Sequence, residues 1–186
     1  MPNRDTPRGF EAINLKSEDV HRYYKIAGSF PLGIGDPVVR VANSTDPQGY
    51  PAVARQSALA ITGVVVGVET APGRSTKYLA STDAGYVLVA DNPNQLFRVQ
   101  DNGGATGITI ANLGEHVASV AAINCNTTTG VSNYEIDTEG LLTGNTWVLV
   151  RKDDSPNNVV GANCDWIVRP NVHTDANASV TNSSSI

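Results

Sequence analysis

The side chains able to do chemistry are scattered along this chain of 186 residues. His21, His116 and His173 are its three histidines, and none has another two or four positions away. Those are the spacings that bring two imidazoles to one face of a strand or helix, where they can hold a metal. Each therefore reads as a surface or half-buried side chain. Cys125 and Cys164 are the only cysteines and form no CxxC pair, too few ligands for zinc. Two buried free thiols is the simpler expectation, with a disulfide between them as the alternative. Asp153, Asp154, Asn157 and Asn158 offer oxygens of the kind calcium takes, without the glycine and closing glutamate of an EF-hand loop, so a solvated turn is expected. Glu135, Asp137 and Glu139, two apart, would share one face of a strand. Three like charges there repel, so solvent exposure is the plain reading, and an acid/base pair would need a partner from elsewhere. Tyr23, Tyr24, Tyr50, Tyr86 and Tyr134 could form a sugar-stacking platform or pack the edges of a sheet. No GxSxG, Walker A, HExxH or Rossmann glycine pattern occurs, and Gly33-Ile34-Gly35, followed by Asp36-Pro37, reads as a turn. The expectation is a non-enzyme with no catalytic, cofactor-binding or metal site.

What would position these residues is strand. Residues 86–104 state the rule: Val87 and Val89 alternate with Tyr86, Leu88 and Ala90, and Phe97 and Val99 alternate with Arg98 and Gln100, as side chains on opposite faces require. Asp91-Asn92-Pro93-Asn94 separates the two runs, because proline lacks a donor and asparagine tolerates the backbone angles of a reversal. Further strands are expected at 21–26, at 38–42 behind Pro37, within 58–70, at 107–113, 116–123, 131–137, 146–152 and 165–169. The run at 58–70 has β-branched residues on both faces, the signature of a strand buried on both sides. Residues 43–56 read as a long polar loop and 71–75 as a turn. Eight or more short strands without an amphipathic helix predict an all-β protein, a single antiparallel β-sandwich or β-barrel domain. Residues 1–10 read as an extended N-terminal arm that orders only on assembly, 11–173 as the β-rich domain and 174–186 as a flexible, low-complexity C-terminal tail.

Thirteen basic against eighteen acidic residues give a formal charge of −5 without any Lys/Arg cluster, which argues against nucleic acid as a partner. No apolar run reaches the roughly 20 residues that cross a bilayer, and the charged, proline-containing N-terminus lacks the apolar core of a signal peptide. A protein made in a cytoplasm, away from membranes, is the expectation. The Asn-x-Ser/Thr matches at Asn43, Asn126, Asn177 and Asn182 are then chance.

The order of segments resembles a family of phage proteins that decorate the capsid, also called cement or stabilisation proteins. The resemblance rests on Gly35 to Val38 (GDPV), Val89 to Pro93 with Phe97 to Gln100, Thr127 to Ser132 with Ile136-Asp137, and Asn171 with His173, in order from about Phe10 to His173. Asn92, Ile136 and Pro170 depart from the residues common there. The resemblance implies a non-enzymatic virion structural protein, made in the host bacterial cytoplasm and placed on the outer surface of the head. It would bridge neighbouring major capsid protein subunits as a homodimer or homotrimer, without cofactor, nucleic acid or membrane. The alternatives are another virion structural protein, of the tail tube or head completion, and a carbohydrate-binding β-sandwich.

Overall fold

The computed structural model describes residues 3–27, 30–56, 60–69, 77–104, 107–120, 124–139 and 146–174. Its strands are β1 (Glu11–Ile13), β2 (Val20–Lys25), β3 (Leu32–Gly33), β4 (Pro37–Thr45), β5 (Pro51–Arg55), β6 (Gly63–Glu69), β7 (Tyr78–Leu79), β8 (Gly85–Ala90), β9 (Leu96–Gln100), β10 (His116–Val117), β11 (Trp147–Lys152) and β12 (Asp165–Pro170). The protein is all-β, as the alternation predicts. Strands β2-β5-β4-β6-β8 close into a barrel, β1-β9-β12-β11-β10 form a five-stranded sheet, and β3 pairs with β7. The sheet is antiparallel throughout. The barrel has one parallel pair, β2 with β5, in register Tyr24↔Ala52 and Lys25↔Val53. A ring of five strands cannot alternate direction all the way round, so closure forces one parallel neighbour.

β6 is the wall shared by two cores, because successive side chains on a strand face opposite ways. Val65 points into the barrel with Tyr23, Val38, Val53, Val87 and Val89. Val64 points outward and, with Ala90 of β8, packs beneath the sheet against Phe97, Trp147, Trp166 and Val168. The run expected to be buried on both sides is so at Gly63, Val64 and Val65. Gly63 is required there: a Cβ on it would lie 2.2 Å from the Ala90 carbonyl oxygen.

Several boundaries differ from expectation, each for a local reason. The polar stretch 43–56 carries the end of β4 and all of β5, whose Ala52 and Val53 are buried; its reversal is made by Asp46, whose Oδ1 accepts the amides of Gln48 and Tyr50 at 3.0 and 2.8 Å. Residues 107–113 contain a 3₁₀ turn, Ile110–Asn112, instead of a strand. There the Asn112 side chain accepts the Thr109 amide and hydroxyl, both at 2.8 Å, which competes with any ladder. Only His116–Val117 of the 116–123 run is strand, and 121–123 lie outside the described residues. Residues 131–137 keep their alternation, with Ser132, Tyr134 and Ile136 buried, but join no ladder. Ser132 N bonds Ile34 O in the barrel lobe and Ile136 N bonds Gln100 O in the sheet, so the segment threads between the two.

The arm needs the largest correction. Residues 3–10 are extended yet already docked on their own chain. Phe10 is 2% exposed and stacks on Trp147 with ring centroids 4.2 Å apart, so it belongs to the core. Its amide donates to Gly35 O at 3.0 Å. At the other end Ile61 N bonds Val172 O and Thr174 N bonds Ile61 O, both at 2.9 Å. The expected turn at 71–75 and the tail beyond Thr174 lie outside the described residues. No helix among the described residues is long and apolar enough to cross a membrane.

Candidate functional site

Parity on β2 sorts its side chains into two sets: Tyr23 and Lys25 face the barrel interior, Arg22 and Tyr24 its outer surface. At the barrel mouth, Asp91 follows the end of β8. Its Oδ2 accepts the Tyr23 hydroxyl and its Oδ1 the His21 Nδ1, both at 2.7 Å. Arg40 of β4 donates to the Tyr23 oxygen at 3.3 Å. A groove of about 420 Å³ opens here, floored by these groups and walled by Tyr50 and Pro51.

Beside it, the outer face gathers three of the tyrosines. Tyr86 lies 5.6 Å from both Tyr24 and Tyr50, centroid to centroid, since Tyr24 and Tyr86 are paired across β2 and β8. Arg22 sits 3.8 Å from the Tyr86 centroid and 5.1 Å from that of Tyr50. Glu69 holds the guanidinium from the other side through Nε and Nη2 at 2.9 and 2.5 Å. The Tyr86 hydroxyl bonds Asp46 and Gln48. Burial works to raise the Asp46 carboxyl, but the Tyr86 hydroxyl and the Tyr50, Gln48 and Gly49 amides pull it below the usual range.

Among the described residues, no serine, threonine or cysteine lines the groove beside the His21–Asp91 pair. Burial, then Asp91, pushes the Tyr23 phenol up to about 12. The Tyr50 and Tyr86 rings carry Arg22 across them, which occupies surface that a sugar ring would stack upon. The face presents a half-exposed set of tyrosine and arginine side chains, residue types enriched at protein contacts in general.

The other residues singled out from sequence go elsewhere. Tyr134 is buried in the core beneath the sheet. His116 is in β10, and His173 is 2% exposed with Nε2 donating to Thr62 O at 2.6 Å, a clamp on the chain end. In the 153–158 turn Asp153 takes the Ser155 amide and hydroxyl, Asn158 Nδ2 donates to Asp153 O and Asp165 O at 2.9 and 2.8 Å, and the exposed Asp154 pairs with Arg151 at 2.7 Å. No group of three His, Cys, Asp or Glu side chains able to hold a metal is found among the described residues. Cys125 lies against Gly33 and Cys164 in the core beneath the sheet, both free and buried. Burial, then nearby carboxylates, lifts their thiols to about 11 and about 12.

Of the acidic trio, Asp137 and Glu139 stay on a surface turn in which Asp137 Oδ1 accepts the Asn102 Nδ2 and the Glu139 amide. Glu135 is half-buried instead. Asp5 and Asp101 act on it, and burial followed by these two charges pushes its carboxyl up to about 7.

Buried charges among the described residues that the sequence reading did not single out include Lys25, Asp101 and Asp36. Lys25 is 0% exposed, and its Nζ donates to Ala80 O at 2.9 Å and Asp83 O at 2.8 Å; extending the Tyr23 parity by two residues would have pointed to it. Asp101 takes the Trp166 indole at 2.9 Å and the Gly103 and Asn163 amides at 3.0 and 2.8 Å. Asp36 is 0% exposed, takes the Gly33 amide on Oδ2 at 2.8 Å, and leaves Oδ1 without a partner.

No protein-family model, curated protein or solved structure matches the chain.

Proposed function

We propose that this protein is a non-enzymatic structural component of a phage virion that binds the outside of the head and bridges neighbouring major capsid protein subunits. What supports the reading is that the ordered series of segments from about Phe10 to His173 resembles capsid decoration proteins. In this fold the residues of that series have structural duties. Asp36 ties the turn before β4 to Gly33, Ser132 Oγ accepts the Tyr134 amide at 3.0 Å, and His173 Nε2 donates to Thr62 O at 2.6 Å. These contacts support reading the series as a scaffold. The Tyr24–Tyr50–Tyr86 face with Arg22 is the surface offered for contact. A shell repeats each site around its symmetry axes, so a small oligomer of this protein would convert modest contacts into avidity.

The test is to prepare heads with and without the protein. The expected result is its recovery on virions and a lower heat and low-salt tolerance of shells that lack it. Equal tolerance, with none of the protein on virions, overturns the proposal. A second reading, sugar binding at the three converging tyrosines, requires Arg22 to leave the Tyr50 and Tyr86 rings that it covers. Saturable binding on a glycan array would establish that reading instead.

A further inference from the structure

Residues 3–8 make a series of polar contacts with the body. Asn3 Nδ2 donates to Val159 O at 2.6 Å and Ala162 O at 3.1 Å, and Val159 N returns to Asn3 Oδ1 at 3.0 Å. The Gln100 amide brackets Asp5: its Nε2 donates to Arg4 O at 3.0 Å and its Oε1 accepts Thr6 N at 2.9 Å. The backbone oxygen of the same Gln100 takes Ile136 N at 3.0 Å, which brings Glu135 to the place where the arm passes.

Glu135 meets the arm badly as an anion. Its Oε1 is buried with no hydrogen-bond partner, and the charged groups acting on it are both carboxylates, Asp5 of the arm and Asp101 at the end of β9. Asp101 is itself held above the usual carboxylate range by burial, against the donors that surround it. The nearby charges of other elements are committed elsewhere: Arg8 of the arm pairs with Asp165 at 2.6 Å, and Asp137 bonds Asn102 and the Glu139 amide. Arg4 lines the small polar cavity of about 180 Å³ under the arm, beside Ser155 and Asn157.

We propose that Glu135 is a latch for this strap: protonated, it lets residues 3–8 lie down on the sheet, and ionised, it drives them off through Asp5 and its own unmet need for solvent. The sign follows from linkage. Burial, then Asp5 and Asp101, raises the affinity of Glu135 for a proton, and the share owed to the docked arm links docking to that proton: docking is strongest below the ordinary carboxylate range and weakens as pH rises through about 7. Each unit of that rise contributed by the arm corresponds to a tenfold change in the docked-to-undocked ratio. The fold thus carries a strap whose release needs no partner, only alkaline conditions.

The experiment is amide hydrogen exchange at about pH 5.5 and about pH 8.5, expressed as protection factors to remove the intrinsic pH dependence. Thr6, whose amide is held by Gln100, should lose about tenfold in protection between the two conditions, while the amides of β11 and β12 hold theirs. Glu135→Gln should keep the arm protected at both values. Asp5→Asn, at an exposed position that leaves the core untouched, should shrink the loss, and it carries the test should the first variant fold poorly. Equal protection in the wild type at the two values overturns the latch, as does a loss that persists undiminished in either variant or is shared by β11 and β12.

Discussion

Asp36 gives the sharpest quantitative test of the physical reasoning. Its side chain is wholly buried, with Oδ1 unpaired. Burial pushes its carboxyl up from 3.8 to about 6, with the Ser132 hydroxyl, the Gly33 amide and the Arg55 guanidinium pulling the other way. A group with a raised folded value favours folding when protonated. Its stabilising contribution is complete below about pH 4 and is lost as pH rises through about 6. Two units or so correspond to about 3 kcal/mol, a large share of the 5–15 kcal/mol typical of a domain. Asp36→Asn keeps an oxygen for the Gly33 amide and removes the charge. Urea unfolding of both proteins at about pH 4 and about pH 8 isolates the effect, because Glu135 and Asp101 titrate alike in each. The two should be nearly equal at the lower pH, and the variant should be more stable by up to about 3 kcal/mol at the higher. A difference that does not change with pH, or a variant less stable at the higher value, would refute the assignment of a buried, poorly solvated carboxylate.

Three further outcomes are expected. Phe10→Ala removes a ring stacked on Trp147 in the core and should cost roughly 3–5 kcal/mol in urea unfolding, whereas a residue of a loose arm would cost almost nothing. Gly63→Ala places a Cβ 2.2 Å from Ala90 O, where β6 and β8 meet, and should lower stability by roughly 1–3 kcal/mol, read as a drop in Tm. Cys125 and Cys164, buried with thiols lifted to about 11 and about 12, should resist a thiol-labelling reagent in the native protein and react with it once denatured. Mass spectrometry of the native protein that finds both labelled, or finds them joined to each other, would contradict the placement.

Legibility along this chain followed how local the deciding interaction was. The alternations at Val87/Val89 and Phe97/Val99 could be read directly and stand in the fold as expected, because period two is a property of the strand itself. Residues 51–55 were missed because a strand that begins at a proline and runs Ala-Val-Ala carries little apolar signal, and its burial comes from β4 and β2 beside it. The run at 107–113 misled because Thr109 and Asn112 close on each other. The tyrosine face was half visible: the residues were named, but that Tyr24, Tyr50 and Tyr86 meet, while Tyr23 turns inward and Tyr134 lies in the other core, depends on which strands are neighbours.

The amino-acid order by itself determined that this is a β protein, and where most of its strands run, since side-chain alternation and turn residues are written within a few positions of one another. Only the tertiary structure decided that the barrel closes with one parallel pair, that Phe10 leaves the arm for the core, and that Glu135 confronts Asp5 across a distance of 130 positions in the chain. Those outcomes depend on long-range packing and desolvation, whose energies belong to pairs of distant segments and have no local pattern from which to be read.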